Sequence, residues 1–201
     1  MLIVVGGHSR NTGKTSVVAG LIRRLPEASW TAVKISQHDP GVCTRDGGTC
    51  GCGPAEPEHP YELSEEFEPG SSDSGRFLAA GARRAFWLRT ASGQLAGARV
   101  ALDKIFTLGT HTIVESNSLL ELYRPDLYLA VLDFGCEDFK PSALRHLDRA
   151  DAFVVIDRGL NMPLWENISR GVWDAKPQFP ARPPYYVSAA LSAFVKQRLS
   201  G

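Results

Sequence analysis

Residues 6–16 read Gly6-Gly7-His8-Ser9-Arg10-Asn11-Thr12-Gly13-Lys14-Thr15-Ser16, and their chemistry is that of an anion cradle. Glycine is needed where a backbone bends tightly and where a phosphate oxygen comes close. The N–H groups of such a loop, with the first turn of the helix behind it, point at the anion. Lys14 can reach outer phosphates, and the Thr15 hydroxyl can ligate magnesium. The candidate nucleotide-binding residues are therefore Gly7, His8, Ser9, Asn11, Thr12, Gly13, Lys14, Thr15 and Ser16. Five residues separate Gly7 from Gly13, one more than the common spacing, which would place glycine at His8.

Two acids are candidates for work beside that loop. Glu115 closes the apolar stretch Thr112-Ile113-Val114-Glu115, and Asp39 closes Lys34-Ile35-Ser36-Gln37-His38-Asp39. An acid at the end of an apolar strand can hold magnesium or orient a water molecule. Thr15, Asp39 and Glu115 form the candidate magnesium set, and Lys14, Asp39 and Glu115 the candidate catalytic set. The competing reading of Glu115 is a strand-end acid bonded to solvent. Lys34 either faces substrate or phosphate, or is simply solvated.

A third constellation lies further on. Cys43, Cys50 and Cys52 fall within ten residues and are interleaved with glycines. They could close round zinc or an iron–sulfur cluster, with His38, His59 or Cys136 as a fourth ligand. The spacing is no standard ribbon or ferredoxin pattern, and a reduced surface loop is the alternative.

The elements that must position these residues follow from the hydrophobic pattern. Met1 to Val5 predicts a buried strand and Lys14 to Leu25 a helix. Trp30 to Ile35 predicts a second strand. Residues 36–71 are rich in Gly, Pro, Glu and Cys and predict a long functional or unstructured loop. Further helices are expected at Asp73 to Ala82 with Ser72 as N-cap, Gln94 to Thr107, Pro141 to Arg149, Leu164 to Trp173 and Ala189 to Leu199. Strands are expected at Arg84 to Arg89, Thr110 to Glu115, Leu127 to Asp133, Ala152 to Asp157 and Tyr185 to Ser188. Trp30, Phe86, Trp87, Phe153, Trp165 and Trp173 are expected in the core. Strands that alternate with helices and are apolar on both faces imply a mostly parallel, doubly wound sheet. Ligands of such sheets bind outside the carboxyl ends of the strands, where the phosphate loop, Glu115, Asp133 and Asp157 fall.

Composition narrows the classes. A length of 201 residues suits one domain spanning 1–201, with the cysteine-bearing segment at about 36–71 as an insertion. Lys plus Arg equals Asp plus Glu at 22 each. This balance argues against a global grip on nucleic acid or on an anionic membrane. No apolar stretch approaches the roughly 20 residues that span a bilayer. The opening apolar strand is short and lacks a basic start, so no signal sequence and a cytoplasmic location are expected.

In order along the chain stand the strand and phosphate loop, Lys34-Ile35-Ser36-Gln37-His38-Asp39, Ser72-Asp73-Ser74-Gly75-Arg76-Phe77-Leu78-Ala79-Ala80-Gly81-Ala82, and Thr112-Ile113-Val114-Glu115. Over roughly residues 1–120 this order resembles the MobB family of GTP-binding proteins in molybdopterin-guanine dinucleotide biosynthesis. The resemblance implies a three-layer α/β P-loop NTPase fold, magnesium, GTP hydrolysis, a partner enzyme in cofactor biosynthesis and a homodimer. Ser116 stands where that family has glycine after the acid. The longer phosphate loop resembles dethiobiotin synthetase, in the same branch of P-loop proteins, but its Lys-Pro and Glu-Gly-Ala-Gly-Gly patterns are missing.

A guanine-reading Asn-Lys-x-Asp is absent, and Ile156-Asp157-Arg158 occupies the strand end where it would sit. Val187-Ser188-Ala189-Ala190 resembles the Ser-Ala loop near the base, which makes Ser188 and Ala189 candidate nucleotide contacts. The expected function is magnesium-dependent binding and hydrolysis of a purine nucleoside triphosphate, with GTP favoured over ATP. The alternatives are an ATP-dependent ligase or kinase and a nucleotide- and metal-sensing adaptor without turnover.

Overall fold

The computed structural model of the chain describes residues 1–38, 60–166 and 168–200. Its elements run β1 (Leu2–Gly7), α1 (Lys14–Arg24), β2 (Thr31–His38), β3 (Tyr61–Glu66), α2 (Asp73–Ala79), β4 (Arg84–Ala91), α3 (Arg99–Phe106), β5 (Thr112–Glu115), β6 (Leu127–Asp133), α4 (Pro141–Leu144), β7 (Ala152–Ile156), β8 (Gln178–Ala181) and α5 (Ala189–Leu199). The eight strands form one sheet in the order β3-β4-β2-β5-β1-β6-β7-β8. All neighbours are parallel except β3, which runs antiparallel to β4 at the edge.

Burial on both faces explains why the central strands are apolar throughout. Ile3 and Val5 of β1 pack with Val17, Leu21 and Ile22 of α1, Phe77 of α2 and Leu191 and Val195 of α5. Val4, between them in sequence, faces the opposite layer with Leu102 and Ile105 of α3, Leu119 and Tyr128. Side chains of a strand alternate between faces, so a strand covered twice must be apolar at every position. The result is a three-layer α/β sandwich, helix layer on each side of a mostly parallel sheet.

Its order reverses at β1. The chain builds β2 to β5 on one side of β1 and β6 to β8 on the other. Loops leaving β1, β5 and β6 therefore converge at one crevice, which is where such sheets take their ligands.

Several elements differ from the sequence expectation, each for a physical reason. β3 forms within the segment read as loop. Four of its six residues are polar, yet it lies at an open edge where Arg84 pairs with Glu65 and Arg89 with Glu62. The expected helix over 164–173 contracts to one 3₁₀ turn at Arg170–Val172. There Trp165 and Trp173 both turn inward and meet edge to face at 6.1 Å, a contact that a continuous helix does not organise. The expected final strand at 185–188 is replaced by β8, and Val187 packs on α1 instead, against Gly20. Pro180 is tolerated in β8 because that strand has a free edge. Trp87 is half-buried rather than core, with the Arg89 guanidinium 4.6 Å from its ring centre. No helix among the described residues is long and apolar enough to cross a membrane.

Candidate functional site

The phosphate loop links the end of β1 to the start of α1 and is shaped by its glycines. A Cβ at Gly7 would lie 2.8 Å from Thr12 Oγ1 and 2.9 Å from the Lys14 chain. Gly13 sits at φ +86°, and a Cβ there would meet the Tyr186 ring at 2.5 Å. Inside the loop Lys14 Nζ donates to the Ser9 carbonyl at 2.5 Å and to Thr12 Oγ1 at 3.3 Å. Burial pushes the Lys14 pKa down to about 8; Glu115 opposes this, while Lys34 and Lys140 add to it. Ser16, in the first turn of α1, accepts from Arg76 of α2 at 3.1 Å. Asn11 is exposed and left-handed, at φ 56°.

Beside the loop lies a cluster of opposite charges. Register places Lys34 of β2 directly beside Glu115 of β5. Glu115 is buried, with its side chain 3% exposed. One of its oxygens accepts from the Thr15 hydroxyl at 2.8 Å, and the other pairs with Lys34 Nζ at 2.5 Å. Lys34 Nζ also meets Asp73 Oδ2 at 2.7 Å. Burial acts to lower the Lys34 pKa, but Glu115 and Asp73 outweigh it and raise the value. Burial likewise opposes ionisation of Asp73, and the Lys34 ammonium and the Thr15 hydroxyl overcome it, leaving the pKa lowered.

The structure thus brings Lys14, Thr15 and Glu115 together as expected from sequence, and adds Asp73 to them. Asp73 is set by β3, the strand that composition concealed. Glu66 at its end accepts from Ser72 at 3.1 Å and from Ser74 at 2.7 Å, while Ser72 caps α2 by accepting from Gly75 N at 3.0 Å. These bonds fix the first turn of α2 and aim Asp73 at Thr15. The available signal was the Asp73-Ser74 pair following an N-cap serine. Asp39, Cys43, Cys50, Cys52 and His59 lie outside the described residues. His38 closes β2, and Cys136, half-buried, stands on the loop after β6.

Three further residues hold the loop in place, none of them among the site residues proposed from sequence. Asn117 brackets Gly7, accepting from its N–H at 2.9 Å and donating to its carbonyl at 2.8 Å. The segment after β6 does the same for the next residues. Asp138 accepts from the Ser9 hydroxyl at 2.5 Å, and Lys140 N donates to the His8 carbonyl at 2.8 Å.

His8 is fully buried, 4.8 Å from the Trp165 ring and 5.0 Å from Phe139. Its Nε2 accepts from Asp133 N at 3.0 Å, so its proton sits on Nδ1 and is donated to the Asp138 carbonyl at 3.0 Å. The side chain is thereby committed to the loop's own support. Burial pushes its pKa down to about 4, against smaller raising effects of the Asp138 carbonyl and Asp133. An unfolded histidine takes up its proton near the ordinary value of about 6.5. The stabilisation from neutral His8 is therefore complete above that value and lost as pH falls from 6.5 towards 4. Urea midpoints at pH 7.5 and pH 5 are expected to differ more for the wild type than for His8→Asn. Identical shifts in both proteins would exclude this role.

The opposite flank carries the strand ends expected near a base. Asp133, at the end of β6, is buried and gripped by Arg158 through bonds of 2.7 to 3.0 Å. Asp157, just after β7, accepts from Gly159 N at 2.9 Å and Arg182 Nε at 2.7 Å. Ser188 serves as the N-cap of α5, its oxygen accepting from Leu191 N at 3.2 Å, and Ala189 opens that helix on the surface.

No family model matches the chain. No curated protein matches it. Among solved structures it is similar to HypB from Helicobacter pylori, determined in complex with nickel: 12% identity, 98% of this chain and 86% of that one covered, TM-score 0.53. It is also similar to the "apo" form of LpxK from Aquifex aeolicus, determined in complex with ATP: 19% identity, 89% of this chain covered, TM-score 0.48. The chain spans about half of LpxK, 53% of its length. At such identities the likeness is one of fold. The chain has the three-layer α/β fold of the P-loop NTPases, with its phosphate loop where the strand order reverses.

Proposed function

We propose that the chain binds a purine nucleoside triphosphate with magnesium and hydrolyses it, with GTP favoured over ATP. The observation that carries this reading is the cluster at the mouth of the phosphate loop: the Thr15 hydroxyl, Glu115 and Asp73 converge beside Lys14. Two carboxylates and a hydroxyl are hard oxygen donors of the kind magnesium takes. A cation already sits between the carboxylates in the form of the Lys34 ammonium. The donor set therefore fits the metal. Magnesium there would neutralise charge on the terminal phosphates.

Each side chain then has a task. Lys14 holds the outer phosphates, and Thr15, Asp73 and Glu115 hold the metal. Lys34 serves as the counter-charge of the two carboxylates. Glu115 is also placed to orient water. Asp39, next in sequence after β2, remains a candidate for the same set. The resemblance to MobB supports GTP as the nucleotide and an accessory role in molybdenum cofactor or metallocentre assembly, with a partner enzyme and a homodimer. Cys43, Cys50 and Cys52 are candidates for a zinc or iron–sulfur centre in that role. Ser188 and Ala189 remain candidates for the base region, through the helix they open rather than through the Ser188 hydroxyl.

The test is phosphate release from GTP and from ATP, with and without magnesium, on protein purified without oxygen and assayed for zinc and iron. Magnesium-dependent release of phosphate from GTP without any acceptor supports the reading. Turnover that requires a small carboxylate acceptor favours the ligase or kinase alternative, which the longer phosphate loop supports. Binding without turnover favours a nucleotide-sensing adaptor. Failure of GTP and ATP alike to bind would overturn all three.

A further inference from the structure

Charge around the phosphate loop is unevenly matched. Lys34 is neutralised by Glu115 and Asp73. Among the described residues Lys14 is held by neutral oxygens alone, and Arg10 is exposed. A fourth cation, Lys140, is half-buried, and its ammonium makes no hydrogen bond or ion pair among the described residues.

Its position is nonetheless closely specified. The stretch 138–140 is stitched to residues 8 and 9 by three hydrogen bonds. They run from Lys140 N to the His8 carbonyl at 2.8 Å, from the Ser9 hydroxyl to Asp138 at 2.5 Å, and from His8 Nδ1 to the Asp138 carbonyl at 3.0 Å. The loop and this stretch therefore form one unit. β5 and β6 flank β1 on opposite sides; Glu115 ends β5, and Lys140 belongs to the segment that follows β6. Burial lowers the Lys140 pKa, Arg10 and Lys34 push the same way, and Asp138 opposes them. Lys140 in turn depresses Lys14, so its ammonium lies within electrostatic reach of the cradle. A partly desolvated ammonium among like charges is costly unless an anion joins it.

We infer that Lys140 is a phosphate-binding residue, which contacts the outermost phosphate of a nucleoside triphosphate from the segment that follows β6. The inference rests on the nucleotide reading above and deepens it. Lys140 answers the extra charge of a triphosphate and leaves a diphosphate largely unaffected. It complements Lys14. The backbone bond of Lys140 to His8 does not involve the side chain, so removing the ammonium leaves the loop's support intact.

The experiment is a titration of wild type, Lys140→Ala, Lys140→Gln and Lys140→Arg with GDP and a non-hydrolysable GTP analogue at fixed magnesium. Loss of one charge-assisted contact is expected to weaken the triphosphate analogue about tenfold in the Ala and Gln variants, with GDP within about twofold. Arginine is expected to restore most of the loss, and thermal midpoints should stay together. An equal loss for both nucleotides, or no loss for either, overturns the assignment while leaving the nucleotide reading in place. If the wild type takes up neither nucleotide, that reading fails and the assignment falls with it. Lys14→Ala, run in parallel, marks the response of the cradle itself.

Discussion

Replacing Lys14 by alanine is expected to weaken triphosphate binding by about 3 kcal/mol, roughly a hundredfold, in line with the loss of a charge-assisted contact to phosphate. The ammonium is already turned into the loop, against the Ser9 carbonyl and the Thr12 hydroxyl. Those partners are neutral, and among the described residues Lys14 forms no ion pair, so a bound phosphate would neutralise it more fully. The fold should tolerate the change, because the apolar face of α1 is carried by Val17, Val18, Leu21 and Ile22 and not by Lys14.

A pH dependence follows with a definite sign. Burial sets the Lys14 pKa at about 8, and a bound phosphate favours the charged form and raises it. Above pH 8 the protein must then take up a proton as it binds, so affinity falls as pH rises. Titration with a fluorescent nucleotide between pH 7 and pH 9.5 measures both effects. Wild-type affinity in Lys14→Ala would sink the phosphate-loop reading, and a slope that persists in the variant would assign the proton elsewhere.

Glu115→Gln is expected to slow hydrolysis by roughly a hundredfold while nucleotide binding without magnesium stays within a few fold. The amide keeps the shape of the side chain and loses the charge. Lys34 would keep Asp73 as its partner, so the cluster loses one of two carboxylates rather than collapsing. The magnesium needed for half-maximal turnover should rise, since one hard anionic donor has gone. Some stability is also lost, because a buried ion pair has been broken on one side. Activity is therefore compared at a temperature where circular dichroism shows both proteins folded. Turnover and magnesium dependence equal to wild type, with Lys14→Ala inactive, would make Glu115 a structural strand end.

Much of this was legible in the linear chain because it is local. A phosphate loop is a contiguous piece of backbone, so glycine, lysine and threonine at fixed spacing suffice to announce it. The strands at 2–7, 127–133 and 152–156 are apolar on both faces, and that alone implies a sheet covered twice. Those two facts carried the fold class and placed Lys14, Thr15 and Glu115 in one neighbourhood.

What the chain order hid is what depends on register and on edges. β3 was missed because, at the sheet edge, none of its side chains is fully buried, and two of its three glutamates are balanced by arginines of β4. With β3 went the reason for Asp73, whose aim is set by Glu66 holding the first turn of α2. Lys34 read equally as solvated or as facing substrate or phosphate until the pairing of β2 with β5 set it beside Glu115. Asn117, Asp138 and Lys140 reach the loop across separations of 110 to 132 residues and obey no short period. Sequence by itself determined that a glycine-bounded loop carrying Lys14 and Thr15 stands at the end of a parallel sheet. Only the tertiary structure decided which charges stand round the cradle, because parallel strands bring distant residues side by side through crossovers whose register no local pattern encodes.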